Sequence, residues 1–149
     1  MTTANPLLKT PARPLPKHVA IIGAGTIGPD IGYYLKSALP QIRLTLVDVN
    51  QTAIDKALQR CNDYAKKAVA KGKMSEQQAA AVVANIAGTT DYARLADCDW
   101  VIEAATENMA LKRRIFAQVE SVVRPDALIT SNTSSLPAAR IFAELKHQG

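Results

Sequence analysis

The chain has 149 residues, 48% of them hydrophobic, which suits one domain with a full core. Its formal charge is +5, but aromatic residues are only 5% and are not interleaved with the basic ones, so a stacking platform for single-stranded nucleic acid is excluded. No apolar run is long enough to span a membrane, and the first 17 residues lack the apolar stretch of a secretory signal.

Residues 1–17 carry Lys9, Arg13 and Lys17 with no acid, together with Pro6, Pro11, Pro14 and Pro16. Prolines at that density prevent an amphipathic targeting helix, so this stretch reads as a flexible leader or linker. Residues 18–23 are apolar and β-branched and stop at glycine, which predicts a buried strand. Residues 26–39 have a helical pattern closed by Pro40. A second strand is predicted over 42–48 and a long helix over 52–71, ending at Gly72. Ser75 and Gln78 have capping-box spacing, so another helix should run over 75–85. Short strands follow at 86–90, 100–104 and 127–132, with a helix over 109–123 ended by Pro125. A last helix is predicted over 137–146.

Alternating strands and helices predict an α/β fold with a parallel, doubly wound sheet and helices on both faces. The helix pair between the second and third strands is longer than a crossover requires. Cys61 and Cys98 are too few and too far apart for a disulfide framework or a zinc knuckle. They read as buried or half-buried thiols of a cytoplasmic protein, and no metal site is expected.

Gly23, Gly25 and Gly28 follow the first strand directly and have G-x-G-x-x-G spacing. Gly23 permits the tight turn, Gly25 lets a diphosphate approach the backbone, and Gly28 lets the helix pack on the strand. Thr26 and Ile27 lie at the helix start, where free N–H groups and the helix dipole favour phosphate. Asp48 ends the second strand, twenty residues after Gly28. A carboxylate there can accept both hydroxyls of an adenosine ribose and repels a 2′-phosphate, which favours NAD over NADP. Together these features predict a Rossmann-type dinucleotide site. Pro29 is tolerable in the first helical turn, and Asp30 puts a negative charge near the expected phosphates.

Two further segments carry a family resemblance. Ile102-Glu103-Ala104-Ala105-Thr106-Glu107-Asn108 resembles the EA-x-x-EN segment of the 3-hydroxyacyl-CoA dehydrogenases, and Thr130-Ser131-Asn132-Thr133-Ser134-Ser135-Leu136 resembles their SNTSSL segment. With the glycine loop, Asp48 and Leu111-Lys112, the motifs cover about residues 18–142 in family order. The resemblance implies that this is the NAD-binding domain of an L-3-hydroxyacyl-CoA dehydrogenase, the enzyme that oxidises a 3-hydroxyacyl-CoA to the 3-ketoacyl-CoA in fatty-acid β-oxidation. It implies that Ala104, Glu107, Lys112 and Asn132 contact the cofactor, and that Asn132 and Ser134 serve the reacting end of the substrate. Ser134 matches the family serine that hydrogen-bonds the reacting oxygen; Ser134 or Ser135 can alternatively cap the next helix. The extra helix pair touches coenzyme A in the family. Of Lys66, Lys67, Lys71 and Lys73, Lys71 is the nearest match to the lysine that meets its 3′-phosphate, though a lysine there can equally be a solvated surface charge.

The family's general-base histidine and its second, all-helical domain follow the region covered here. His18, at the wrong end of the sheet where the first strand starts, and His147, in a basic tail, are both expected at the surface and do not replace that histidine. The chain is therefore expected to bind NAD without full activity, its parent being a dimer or part of a multifunctional protein, with an acyl-CoA substrate and neither nucleic acid nor membrane as partner. Three alternatives stay open: a related hydroxy-acid dehydrogenase acting on carnitine or a sugar acid, a non-catalytic NAD-binding module, and an S-adenosylmethionine methyltransferase, which lacks the three-glycine spacing.

Overall fold

A computed structural model describes residues 15–25, 27–105 and 108–131. Five strands lie among the described residues: β1 (His18–Ile22), β2 (Arg43–Val47), β3 (Ile86–Thr89), β4 (Trp100–Glu103) and β5 (Leu128–Ser131). They alternate with the helices α1 (Ile27–Ala38), α2 (Gln51–Ala70), α3 (Glu76–Val83) and α4 (Met109–Val122), and with a short 3-10 turn at Tyr92–Leu95. The strands form one sheet in the order β3-β2-β1-β4-β5, and every neighbouring pair is parallel. The doubly wound parallel sheet with a helix pair after the second strand is thus the observed fold. The last predicted helix (137–146), His147 and residues 1–14 of the leader lie outside the described residues.

β1 is central and buried along its whole length. Its alternate side chains feed two cores, as the period of two requires. Val19 and Ile21 pack with Leu44, Leu46 and Ile54 under α1 and α2. Ala20 and Ile22 pack with Val101, Ile115, Phe116 and Val119 under α4. The chain steps from β1 to β2 to β3 on one side, then crosses to β4 on the other side of β1. That reversal opens a crevice beyond the C-terminal ends of β1 and β4, where open α/β sheets bind ligands.

Local chemistry fixes the helix ends. Asn50 caps α2 by accepting from the Thr52 and Ala53 amides, and Asn108 caps α4 by accepting from the Leu111 amide. The predicted capping box is present: the Gln78 amide donates to Ser75 Oγ at 3.0 Å, and the Ser75 amide donates to the Gln78 side chain at 2.9 Å. Asn85 turns the chain from α3 into β3 at φ 60°, a left-handed conformation asparagine tolerates better than most residues. Lys36 is buried at the end of α1, where its ammonium donates to the Pro40 and Ile42 carbonyls. It thereby satisfies acceptors in the turn that leads to β2.

Two features differ from expectation. The 3-10 turn at Tyr92–Leu95 was too short to show a period; Asp91 caps it through the Ala93 amide. His18 is not the surface residue expected. It is the first residue of β1 and only 3% exposed, with Thr45 Oγ1 2.7 Å from Nε2 and Asp97 Oδ1 3.0 Å from Nδ1. Cys61 and Cys98 are both buried free thiols, as expected. Among the described residues no helix is long and apolar enough to cross a membrane.

Candidate cofactor site

The glycine loop leaves β1 at the crevice. The Gly23 amide donates to the Val47 carbonyl at 2.7 Å, tying the turn to the end of β2. Gly23 has φ +108°, and a Cβ there would lie 2.7 Å from Ala105 Cα. Both facts demand glycine. A Cβ on Gly28 would lie 1.8 Å from the Gly23 carbonyl oxygen, so this glycine lets α1 pack onto the turn. Gly25 is the contrast: nothing lies within 4 Å of its added Cβ. Its open side is the room a diphosphate needs over a helix N-terminus. Ile27 opens α1 and is largely exposed; Thr26 lies outside the described residues.

Asp48 follows β2 and is held from two sides. The Ala24 amide donates to Oδ2 at 2.9 Å, and the Asn50 amide donates to Oδ1 at 2.9 Å. Each oxygen keeps acceptor capacity, since a carboxylate offers about four lone-pair sites. The carboxylate is thus oriented and still able to accept ribose hydroxyls. Beside it is a cavity of about 380 Å³, lined by Asp48, Val49, Tyr92, Ala105, Leu111 and Arg114 among others. Burial, with added repulsion from the Asp48 and Glu103 charges, pushes the Tyr92 phenol above its ordinary value, so it stays a neutral hydroxyl. Val49 follows Asp48 in the chain, whereas Tyr92 and Arg114 carry no motif and only the fold brings them to Asp48.

The acid expected to trouble the phosphates is accounted for. Asp30 accepts a hydrogen bond from the Tyr64 hydroxyl at 2.6 Å and lies 3.9 Å from the Arg60 guanidinium, both on α2. Arg60 also reaches the Gly25 carbonyl at 3.3 Å. The Asp30 charge is therefore directed toward α2 and offset by a cation beside the loop.

The far end of the crevice departs from expectation at Lys112. Its side chain is 1% exposed and its ammonium pairs with the fully buried Glu103 carboxylate. Ser131 Oγ donates to Glu103 Oε1 at 2.8 Å, and the Ala105 amide donates to Oε2 at 2.6 Å. A buried carboxylate needs such partners, and that need turns the lysine inward instead of toward the crevice. The cluster joins the ends of β4 and β5 to α4. Ala104 lies beside it, its amide bonded to the Ile22 carbonyl at 2.8 Å. Glu107, Asn132 and Ser134 lie outside the described residues.

Lys71 caps the C-terminus of α2 and is exposed. It lines a groove of about 570 Å³ between α1 and α2 with Lys67, Lys73, Tyr33, Tyr34 and Tyr64. Lys66 points elsewhere, into a hollow between α2 and α3. The Tyr33 and Tyr64 rings meet edge-on, 5.2 Å apart.

The model of the 3-hydroxyacyl-CoA dehydrogenase NAD binding domain matches residues 18–149. The chain belongs to the 3-hydroxyacyl-CoA dehydrogenase family. Its cofactor is accordingly NAD, in keeping with the glycine loop and Asp48. Among solved structures, (S)-3-hydroxybutyryl-CoA dehydrogenase from Ralstonia eutropha is 34% identical with a TM-score of 0.80, matching 86% of this chain and 44% of its own. The 3-hydroxybutyryl-CoA dehydrogenase from Escherichia coli is 33% identical with a TM-score of 0.84, matching 88% of this chain and 27% of its own. The dehydrogenase part of a Caenorhabditis elegans multifunctional enzyme is 27% identical with a TM-score of 0.74, matching 88% and 29%. The chain thus spans less than half the length of these relatives.

Proposed function

We propose that this chain forms the nucleotide half of an NAD-dependent L-3-hydroxyacyl-CoA dehydrogenase of the β-oxidation type. The observation that carries the reading is the pairing of an oriented Asp48 with an open Gly25 at the switch point of the sheet. Asp48 accepts the adenosine ribose hydroxyls, while Val49 and Tyr92 border the space for adenine. Gly25 and the start of α1 leave room and N–H groups for the diphosphate. NAD, when bound, supplies the hydride acceptor. Glu107 and Asn132 serve its nicotinamide end, and Ser134 donates to the substrate oxygen as charge changes there. Lys112 acts at a distance, holding Glu103 and through it the Ala105 amide. In the family the general base lies on a sixth strand that follows the region matched here, and the all-helical domain supplies the remainder of the acyl-CoA site.

The groove bearing Lys67, Lys71 and Lys73 suits the 3′-phosphate of coenzyme A, with Lys71 as its principal contact. A cytoplasmic protein, dimeric or part of a multifunctional chain, is the setting this reading favours. The test is NADH formation from L-3-hydroxybutyryl-CoA by the gene product that contains this chain. Ser134→Ala is expected to lower turnover by about 10²–10³-fold while NAD affinity stays within about twofold. NAD-dependent activity on carnitine or a sugar acid, with none on acyl-CoA, overturns the substrate assignment. NAD binding without any turnover supports a sensor and overturns the enzymatic one.

A further inference from the structure

At the opposite end of the sheet, where the strands begin, β1 starts beside the loop that leads into β4. There one ligand atom each from the His18 imidazole, the Asp97 carboxylate and the Cys98 thiol lie within 4.8 Å of one another. The geometry points to a binding site for a thiophilic divalent cation such as Zn²⁺ formed by His18, Asp97 and Cys98.

Four observations carry it. The first is spacing. His18 Nδ1 is 3.5 Å from Cys98 Sγ and 3.0 Å from Asp97 Oδ1. Tetrahedral zinc, with bonds of about 2.0–2.3 Å, sets its donors roughly 3.3–3.7 Å apart. The nitrogen–sulfur edge already fits, the nitrogen–oxygen edge needs to open by a few tenths of an ångström, and the oxygen–sulfur edge lies within 4.8 Å and closes as the exposed Asp97 side chain turns onto the ion. The second is the donor set: imidazole, thiolate and carboxylate are all zinc ligands, and two anions neutralise a dication.

The third is orientation. Thr45 Oγ1 lies 2.7 Å from His18 Nε2 and can accept its proton, leaving Nδ1 as the coordinating atom. The Arg43 guanidinium donates to Asp97 Oδ2 at 3.0 Å, leaving Oδ1 toward the imidazole. Both are outer partners of the kind that hold metal ligands in place. The fourth is access. His18 and Cys98 are buried, whereas the Asp97 side chain is 60% exposed, so solvent reaches the site and water can complete the coordination.

Binding displaces the Cys98 thiol proton and any proton shared by His18 and Asp97 to solvent, so the ligands meet the ion deprotonated. The site lies one strand length, about 15 Å, from the glycine loop. It should leave NAD affinity unchanged while pinning β1 to the loop before β4.

The test is titration of the whole chain, purified under reducing conditions, with Zn²⁺ and with Co²⁺. The expected result is one equivalent bound, a sulfur-to-cobalt charge-transfer absorption, and a rise in the unfolding temperature on adding Zn²⁺. Cys98→Ala should abolish the absorption. Asp97→Asn, at an exposed position that does not threaten folding, should weaken binding at least tenfold. Thr45→Val should weaken it about 10–100-fold, as loss of an outer partner does. NAD affinity should be the same with and without the ion. Absence of the absorption in the parent chain, or equal metal binding by Cys98→Ala, overturns the assignment and leaves a plain His18–Asp97 hydrogen bond.

Discussion

Lys112 and Glu103 offer a sharp test of how the crevice floor is held. The pair is almost fully buried, and Glu103 also accepts from Ser131 Oγ and the Ala105 amide. Glu103→Gln leaves the Lys112 cation in the interior without its counter-charge. Removing one partner of a buried pair costs about 3–5 kcal/mol. Lys112→Met leaves an anion that retains two hydrogen bonds, so the loss should fall nearer 3 kcal/mol, the low end of that range. For a chain of this length such losses lower the unfolding temperature by about 10 °C. The double variant carries no uncompensated charge. Its loss should be smaller than the sum of the single losses by about 1–3 kcal/mol. Urea denaturation followed by circular dichroism measures all four proteins, and a common slope checks that the comparison is valid. A single-variant loss below about 1 kcal/mol, or strict additivity in the double variant, would refute the argument that the lysine faces inward to satisfy a buried acid.

Other consequences follow from the same structure. Gly28→Ala places a methyl 1.8 Å from the Gly23 carbonyl oxygen, so α1 must shift; it should cost about 1–3 kcal/mol and most of the NAD affinity, checked by denaturation and calorimetry. Ser75→Ala removes one half of the capping box and should cost about 1 kcal/mol, with NAD affinity untouched. The Tyr92 phenol titrates above its ordinary value of 10.0, burial being the main cause. The folded state therefore holds a proton that the unfolded state releases, and stability falls as pH rises through about 10. A spectrophotometric titration should show that late tyrosine in the parent chain and lose it in Tyr92→Phe.

What the sequence discloses is what is local in it. The glycine loop, the strand that feeds it and the Ser75–Gln78 box are each written within about six residues, and each takes the shape its spacing implies. Asp48 was found because the loop-to-acid distance follows from one helix and one strand. Side-chain direction was not legible where a partner decides it. Lys112 turns inward because Glu103 across the loop is buried, and neither residue type announces that. His18 was misplaced for the same reason: Thr45, Asp97 and Cys98 come to it from distant parts of the chain. The apolar wall beside Asp48 depends on Tyr92 in a turn too brief for any periodicity.

Asp48, proposed as the anchor for the adenosine ribose, is the residue on which NAD binding should depend most. Calorimetric titration of the chain with NAD and NADP, repeated on Asp48→Ala, addresses it directly. NAD should bind more tightly than NADP, and the substitution should cost NAD at least tenfold while the far-ultraviolet spectrum is retained. Equal affinity for the two nucleotides, or NAD binding unchanged by Asp48→Ala, would contradict the account.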